Sequence, residues 1–182
     1  MEQLFLDCEF TGLVQNTSLI SLALYKDEQC YFYAEFQDYD LQRCHSWIAA
    51  NVLTKLWYKD EHELLIHEKQ IIKIKAPTPL ITEHLKNWLN EFEEIEIWGD
   101  VPVYDWMLFC ELFGGSLNLP KNVFYSPFDL ATLAKIKGLD PDFSRFEFAS
   151  KHLSGLEEKM QHNALIDAKI ESICYANLIK QL

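Results

Sequence analysis

Residues 5–13 read FLDCEFTGL, an apolar run interrupted by two acids, Asp7 and Glu9. Successive side chains of a β-strand point to opposite faces. Asp7 and Glu9 therefore share one face, and Leu6, Cys8 and Phe10 turn to the other, into core. Two like charges at this range repel, and each is expensive to bury alone. A fold built around this strand needs something positive on the acid face. Oxygen-only ligands suit a hard divalent cation, Mg²⁺ or Mn²⁺. A lone D-x-E is more often an edge strand with one solvated acidic face. The context points further, because Thr11 and Gly12 follow at once. A glycine just after a strand lets a ligand approach the backbone closely.

Residues 3–10, 18–25 and 30–36 are short apolar and aromatic runs separated by QNTS and KDEQ. They predict an antiparallel three-stranded meander. A helix is expected over 41–58, with Leu41, Cys44, Trp47, Ile48 and Leu53 at spaced positions. The stretch 60–76 is ambiguous, with KQIIKIKA as a short strand. Thr78 as cap and Pro79 at the first helical position open the next helix. Its apolar stripe is Ile81, Leu85, Trp88, Leu89 and Phe92. EIEIWGD is a short strand, and another is expected near 122–125. VYDWMLFCELFGG is a helix stopped by Gly114 and Gly115. SPFDLATLAKIKG and FSRFEFASKHL are two more, and HNALIDAKIESICYANLIKQL is a long last helix with two apolar stripes. A meander followed by βα units predicts an α/β fold: a mixed sheet with helices on both faces. No repeat or linker divides residues 1–182, so one domain is expected.

The formal charge of −12 argues against a polyanion partner, which ordinarily meets Lys and Arg. Any nucleic-acid reading must explain how phosphate is tolerated. The five cysteines, Cys8, Cys30, Cys44, Cys110 and Cys174, are widely spaced with no C-x-x-C pair. Reduced thiols in a cytoplasmic setting fit them better than a disulfide frame or a zinc site. No basic leader and no apolar run of membrane-spanning length is expected.

Two further acids stand out. Asp105 falls in the first turn of its helix, just after a strand, where an acid also suits the helix dipole. Asp167 lies near the start of the last helix, with His162 five residues earlier. Five helical residues rotate by about 140°, so the two would not share a face within one helix. If Asn163 caps that helix, His162 precedes it and is free to swing over the site.

Together these segments resemble the DEDDh 3′→5′ exonucleases of the ribonuclease H-like fold, and most closely their small stand-alone exoribonuclease members. FLDCEFTGL resembles their D-x-E-x-T-G-L motif, YDWMLFCELFG their helix-opening Asp, and HNALIDA their H-x-A-L-x-D-A motif. The likeness spans nearly the whole chain. Asn163 stands where the Tyr-type branch has its tyrosine, so His162 marks the His-type branch. Phosphatases of the haloacid dehalogenase type also open on a strand, D-x-D-x-T, but Glu9 is a poor substitute for their second Asp. Asp100 competes with Asp105 for the second motif, and Asp129 resembles a family Asp near the site.

The resemblance implies two divalent ions, Mg²⁺ or Mn²⁺. Asp7 would bridge both, Glu9 and Asp167 would complete one site, and Asp105 would help hold the other. His162 would deprotonate the attacking water. Thr11, Gly12 and Leu13 would line the terminal nucleotide. The implied partner is a single-stranded nucleic acid 3′ end, RNA slightly favoured over DNA, and many members are dimers. Loaded with cations, an acidic pocket attracts phosphate, which reconciles the net charge with a polyanion. Trp57, Phe143 and Phe146 are candidates to stack on bases, although core roles suit each. The competing class is a binding module that keeps the fold without catalysis. Such a module has no reason to retain all four acids and the histidine.

Overall fold

The computed structural model describes residues 1–60, 62–152, 155 and 157–180. Its centre is a seven-stranded sheet of order β4-β5-β3-β2-β1-β6-β7. β1 (Glu2–Phe10), β2 (Leu19–Asp27) and β3 (Cys30–Phe36) form the expected antiparallel meander. β6 (Ile95–Gly99) runs parallel to β1, and the two-residue β7 (Phe128–Asp129) runs parallel to β6. The arrangement is a mixed α/β fold of the ribonuclease H-like kind.

Burial follows the alternation along β1. Leu4, Leu6 and Cys8 join Leu22, Leu24, Phe32 and Ala34 on one face. That face is covered by α2 (Thr78–Leu89) through Ile81, Leu85, Trp88 and Leu89, and by α3 (Val103–Leu112) through Leu108 and Phe109. Phe5, Ala23, Tyr25, Tyr31 and Tyr33 cover the other face, beneath Ala164, Leu165 and Ala168 of α6 (Ala164–Lys180). The second apolar stripe of α6, Ile170 and Cys174, packs against Ala149 of α5 (Arg145–Ser150). α4 (Leu130–Ile136) follows β7 directly. Residues 153, 181 and 182 of the expected helices lie outside the described residues.

Several local expectations change. The helix expected over 41–58 is three pieces: a 3₁₀ turn at Leu41–Arg43, α1 (Ser46–Asn51) and a 3₁₀ turn at Leu53–Lys55. Asp40 caps the first turn, and Cys44 and His45 are extended, so no continuous ladder forms. The ambiguous 60–76 region is a hairpin, β4 (Leu64–Glu68) and β5 (Gln70–Ala76). β5 lies parallel to β3 and so widens the sheet. Thr78 does not cap α2. Its N–H and hydroxyl both donate to Asp38, which takes up the free end of the helix from outside. The strand expected near 122–125 is reduced to one bridge, Val123 to Ile95; the ladder strand is Phe128–Asp129, inside the segment read as helix. Among the described residues no helix is long and apolar enough to cross a membrane.

Candidate active site

β1 and β6 pair only from Glu2↔Ile95 to Phe5↔Trp98. Beyond Phe5 the two strands part, and the carboxyl ends of parallel strands are where open α/β sheets form sites. Asp105, in the first turn of α3, reaches into that opening. Its Oδ1 accepts the Cys8 N–H at 3.0 Å. A side chain thus replaces the lost strand partner and is drawn against β1 between Asp7 and Glu9. Asp100, the competing residue, instead accepts from Arg145 Nη2 at 2.6 Å.

Asp167 arrives from the opposite side, on α6. Asn163 caps this helix, its Oδ1 accepting the N–H groups of Leu165 at 3.2 Å and Ile166 at 3.4 Å. His162 precedes the cap with φ +65°. Its N–H donates to Asp167 Oδ2 at 2.7 Å, which ties the residue to the acid its ring overlooks. Nδ1 of that ring lies 4.0 Å from Glu9 Oε1, and Trp47 meets the ring edge-on at 5.0 Å. The ring is 43% exposed and Glu9 only 13%. The structure therefore brings Asp7, Glu9, Asp105, His162 and Asp167 together from β1, α3 and α6.

The charge balance is one-sided. Among the described residues no Lys or Arg pairs with Asp7, Glu9, Asp105 or Asp167, and the buried Asp7 Oδ2 has no hydrogen-bond partner. Burial, then the charges of Asp167, Glu171, Glu9 and Asp105, hold the Asp7 carboxyl well above the usual range. Burial, with Asp167 and Asp105, pushes Glu9 up to about 8. Burial takes Asp167 to about 7 against the opposing hydrogen bond from His162. Burial takes Asp105 to about 6, opposed chiefly by backbone N–H groups including that of Cys8. His162 moves the other way: burial and Lys55 hold it below the ordinary histidine value. Each acid resists ionisation where it stands.

One atom each from Glu9, His162 and Asp167 lie within 4.8 Å of one another, a spacing that can hold a metal ion. The orphaned Asp7 oxygen and the carboxylate-rich donor set fit a hard divalent cation.

Beside the acids lies a cleft of about 400 Å³ lined by Glu9, Gly12, Leu13, Trp47, Ile48 and Val52. Leu13 is 73% exposed and Trp47 51%. Thr11 is buried. Its hydroxyl accepts the Ser18 N–H at 3.1 Å, and its own N–H donates to the Ser18 carbonyl at 3.0 Å. Thr11 thereby closes the 11–18 loop that presents Gly12 and Leu13. Trp57 packs on Tyr33 at 4.8 Å, and Phe143 and Phe146 lie against the Ala149–Ile170–Cys174 cluster, all away from the cleft lining.

Two neighbours of the acids escaped the sequence reading. Trp47 was read only as part of an apolar helical stripe. Glu171 is buried on α6, with Oε1 accepting the Asp100 N–H at 3.0 Å and Oε2 without a partner among the described residues. Its signal was its spacing, four residues beyond Asp167 and so on the same helical face.

The model of the 3′-5′ exoribonuclease Rv2179c-like domain matches residues 2–179. Two proteins of Mycobacterium tuberculosis are similar: 3′-5′ exoribonuclease MT2234.1 (strain CDC 1551 / Oshkosh) and 3′-5′ exoribonuclease Rv2179c (strain ATCC 25618 / H37Rv). Each is 29% identical over 119 residues, which is 65% of this chain and 66% of the relative. The match thus spans just under two thirds of those relatives. With residues 2–179 matched, the chain belongs to the family of 3′-5′ exoribonuclease Rv2179c-like domains.

Proposed function

We propose that the protein is a 3′→5′ exonuclease that hydrolyses single-stranded nucleic acid, RNA in preference to DNA, and releases nucleoside 5′-monophosphates. Family membership supports both the direction and the preference for RNA. The observation that carries the reading is the buried, unpartnered Asp7 Oδ2 among three further carboxylates, with a half-exposed His162 ring above them.

In this reading Asp7, Glu9, Asp105 and Asp167 hold two divalent ions, Mg²⁺ or Mn²⁺. The chemistry such a pair supplies when bound is neutralisation of phosphate and stabilisation of the entering and leaving oxygens. His162 is neutral near pH 7, because its proton affinity is lowered. One ring nitrogen is then free to accept a proton from the water that attacks the terminal phosphodiester. The new P–O bond forms as the bond to the penultimate 3′-oxygen breaks. A nucleoside 5′-monophosphate leaves, and the departing 3′-oxygen takes a proton from solvent, so that the strand ends in a new 3′-hydroxyl. Thr11, Gly12 and Leu13 bind the terminal nucleotide, Thr11 by shaping the loop and Leu13 by apolar contact with the base across from Trp47. Every group named comes from one chain, so a homodimer is not required for the chemistry. The five free cysteines support a reducing, cytoplasmic setting.

The experiment is product analysis on matched single-stranded RNA and DNA, each with a free or a blocked 3′ end, with Mg²⁺ or with EDTA. The expected result is mononucleotide release from free 3′ ends only, faster on RNA, and none in EDTA. Binding without cleavage in Mg²⁺ would assign the chain to the non-catalytic class.

A further inference from the structure

The turn between β6 and α3 carries an unusual load. Residues 99–102, Gly-Asp-Val-Pro, bring the chain from the parallel strand to the helix that supplies Asp105. Val101 has φ +49°, a conformation costly for a β-branched residue and one that persists only where the surroundings hold it. The turn is also pressed against β1: a Cβ on Gly99 would lie 2.8 Å from Pro102 Cβ and 3.1 Å from the Leu6 carbonyl.

Three elements distant in sequence grip this turn. Glu171 Oε1, from α6, accepts the Asp100 N–H at 3.0 Å. Asp129 Oδ1, at the end of β7, accepts the next N–H, that of Val101, at 3.0 Å. Arg145 of α5 binds the Asp100 side chain and also donates to the carbonyls of Pro141 at 2.8 Å and Phe143 at 2.6 Å. Two consecutive backbone N–H groups are thus each held by a carboxylate from a separate element. Asp129 also caps α4, through the N–H groups of Ala131 and Thr132, so its place is fixed from the other side.

We propose that Glu171 and Asp129 are positioning residues for Asp105: by clamping the N–H groups of Asp100 and Val101 they hold Val101 left-handed and set where α3 begins. Asp105 stands one helical turn beyond Val101, and its carboxylate has to reach the Cys8 N–H on β1. A turn that relaxed to ordinary φ would redirect the first turn of α3. The Asp105 carboxylate would then leave the cluster while the helix itself stayed packed through Leu108 and Phe109. This inference rests on the nuclease reading for its catalytic consequence but not for its structural one.

The test is a cycle of four proteins: wild type, Glu171→Ala, Val101→Gly and the double variant. Glycine adopts φ +49° freely, so a turn carrying Val101→Gly needs less holding. Glu171→Ala is expected to lower kcat by roughly 10–100-fold, the range for partners that orient metal ligands. KM for a single-stranded RNA should change little, and more Mg²⁺ should be needed to raise the melting temperature. In the Val101→Gly background the same substitution should cost several-fold less in kcat, a coupling that general destabilisation does not produce. Glu171→Gln, which keeps an acceptor at Oε1, should recover most of the loss.

Amide hydrogen exchange without metal supplies a readout independent of catalysis. Glu171→Ala should speed exchange at Asp100, Val101 and the first turn of α3, while the core strands stay protected. Unchanged exchange there would overturn the clamp even if the wild type cleaved RNA normally. Equal losses of kcat in both backgrounds would overturn it too. Faster exchange in Glu171→Ala, beside a wild type that never cleaves nucleic acid, would instead uphold the clamp and sink the nuclease reading.

Discussion

Glu9 and Glu35 occupy the same row of the same sheet face, two strands apart, with Ser21 of β2 paired to both. At ~4.8 Å per strand they are separated by ~10 Å. Their surroundings are opposite. Glu35 is buried and fully supplied with donors: Oε1 accepts from the Tyr33 hydroxyl at 2.7 Å and the Trp57 N–H at 2.6 Å, and Oε2 from the Tyr58 N–H at 3.2 Å. The Tyr33 hydroxyl in turn receives Asn163 Nδ2 at 3.2 Å, so this network anchors the cap beside His162. Glu9 and its neighbour Asp7 have acids around them instead, and Asp7 Oδ2 has no partner among the described residues. A buried carboxylate surrounded by donors is a structural fastener. A cluster of carboxylates lacking them has no counter-charge among the described residues.

The sharpest contrast is in chemistry. Asp7→Asn removes the acid at the centre of the cluster, and metal assistance is worth several kcal/mol of barrier. Single-turnover cleavage should fall by more than ~10⁴-fold, with the fold retained by circular dichroism. His162→Ala should cost less, ~10²–10⁴-fold, with binding of a 3′ end preserved. Wild-type turnover in that variant would move the general base elsewhere.

Stability without metal should separate the two regions by sign. Glu35→Ala strands buried donors and should cost on the order of 3 kcal/mol, or about 6–12 °C in melting temperature. Glu9→Ala removes mutual repulsion, and in EDTA should melt no lower than wild type. Equal destabilisation by the two substitutions would erase the distinction.

A further contrast is the pH dependence of the metal-free protein. Unfolded carboxylates titrate near ~3.9–4.3, whereas Asp105, Asp167 and Glu9 are raised to about 6, 7 and 8. Between those values the native state binds more protons than the unfolded one, so stability declines as pH rises. The favourable contribution is complete below the unfolded values and is lost as pH passes through the three folded ones. His162, lowered and half exposed, acts weakly in the opposite sense. Melting scans in EDTA should therefore fall from pH 5 to pH 8, and saturating Mg²⁺ should flatten the fall.

The parts of this architecture that were readable from sequence are those with a strong local period or cap. Two-residue alternation put Asp7 and Glu9 on one face, and Asn163 before an apolar helix freed His162 to precede it. The β4–β5 hairpin was only half visible, because its turn places Lys69 at φ +57° rather than a glycine or asparagine. Helix 41–58 misled because spaced apolar residues suit broken turns as well as one helix, and Asp40 and extended Cys44 and His45 decide the matter. Glu171 and Asp129 were illegible as a pair, since their joint target is backbone N–H groups, which have no letter in a sequence.

The most direct test of the central claim is a thermal-shift titration of Mg²⁺ and of Mn²⁺ at pH 7.5 on wild type and Asp7→Asn, with Ca²⁺-free buffer and an EDTA reversal. At 100 times the dissociation constant, binding to the native state alone adds ~2.7 kcal/mol, or about 5–10 °C for a chain of this size. The account predicts such a rise in the wild type, its reversal by EDTA, and little or none in Asp7→Asn. A wild type whose melting temperature ignores both cations, or an Asp7→Asn variant that rises as far as wild type, would contradict it.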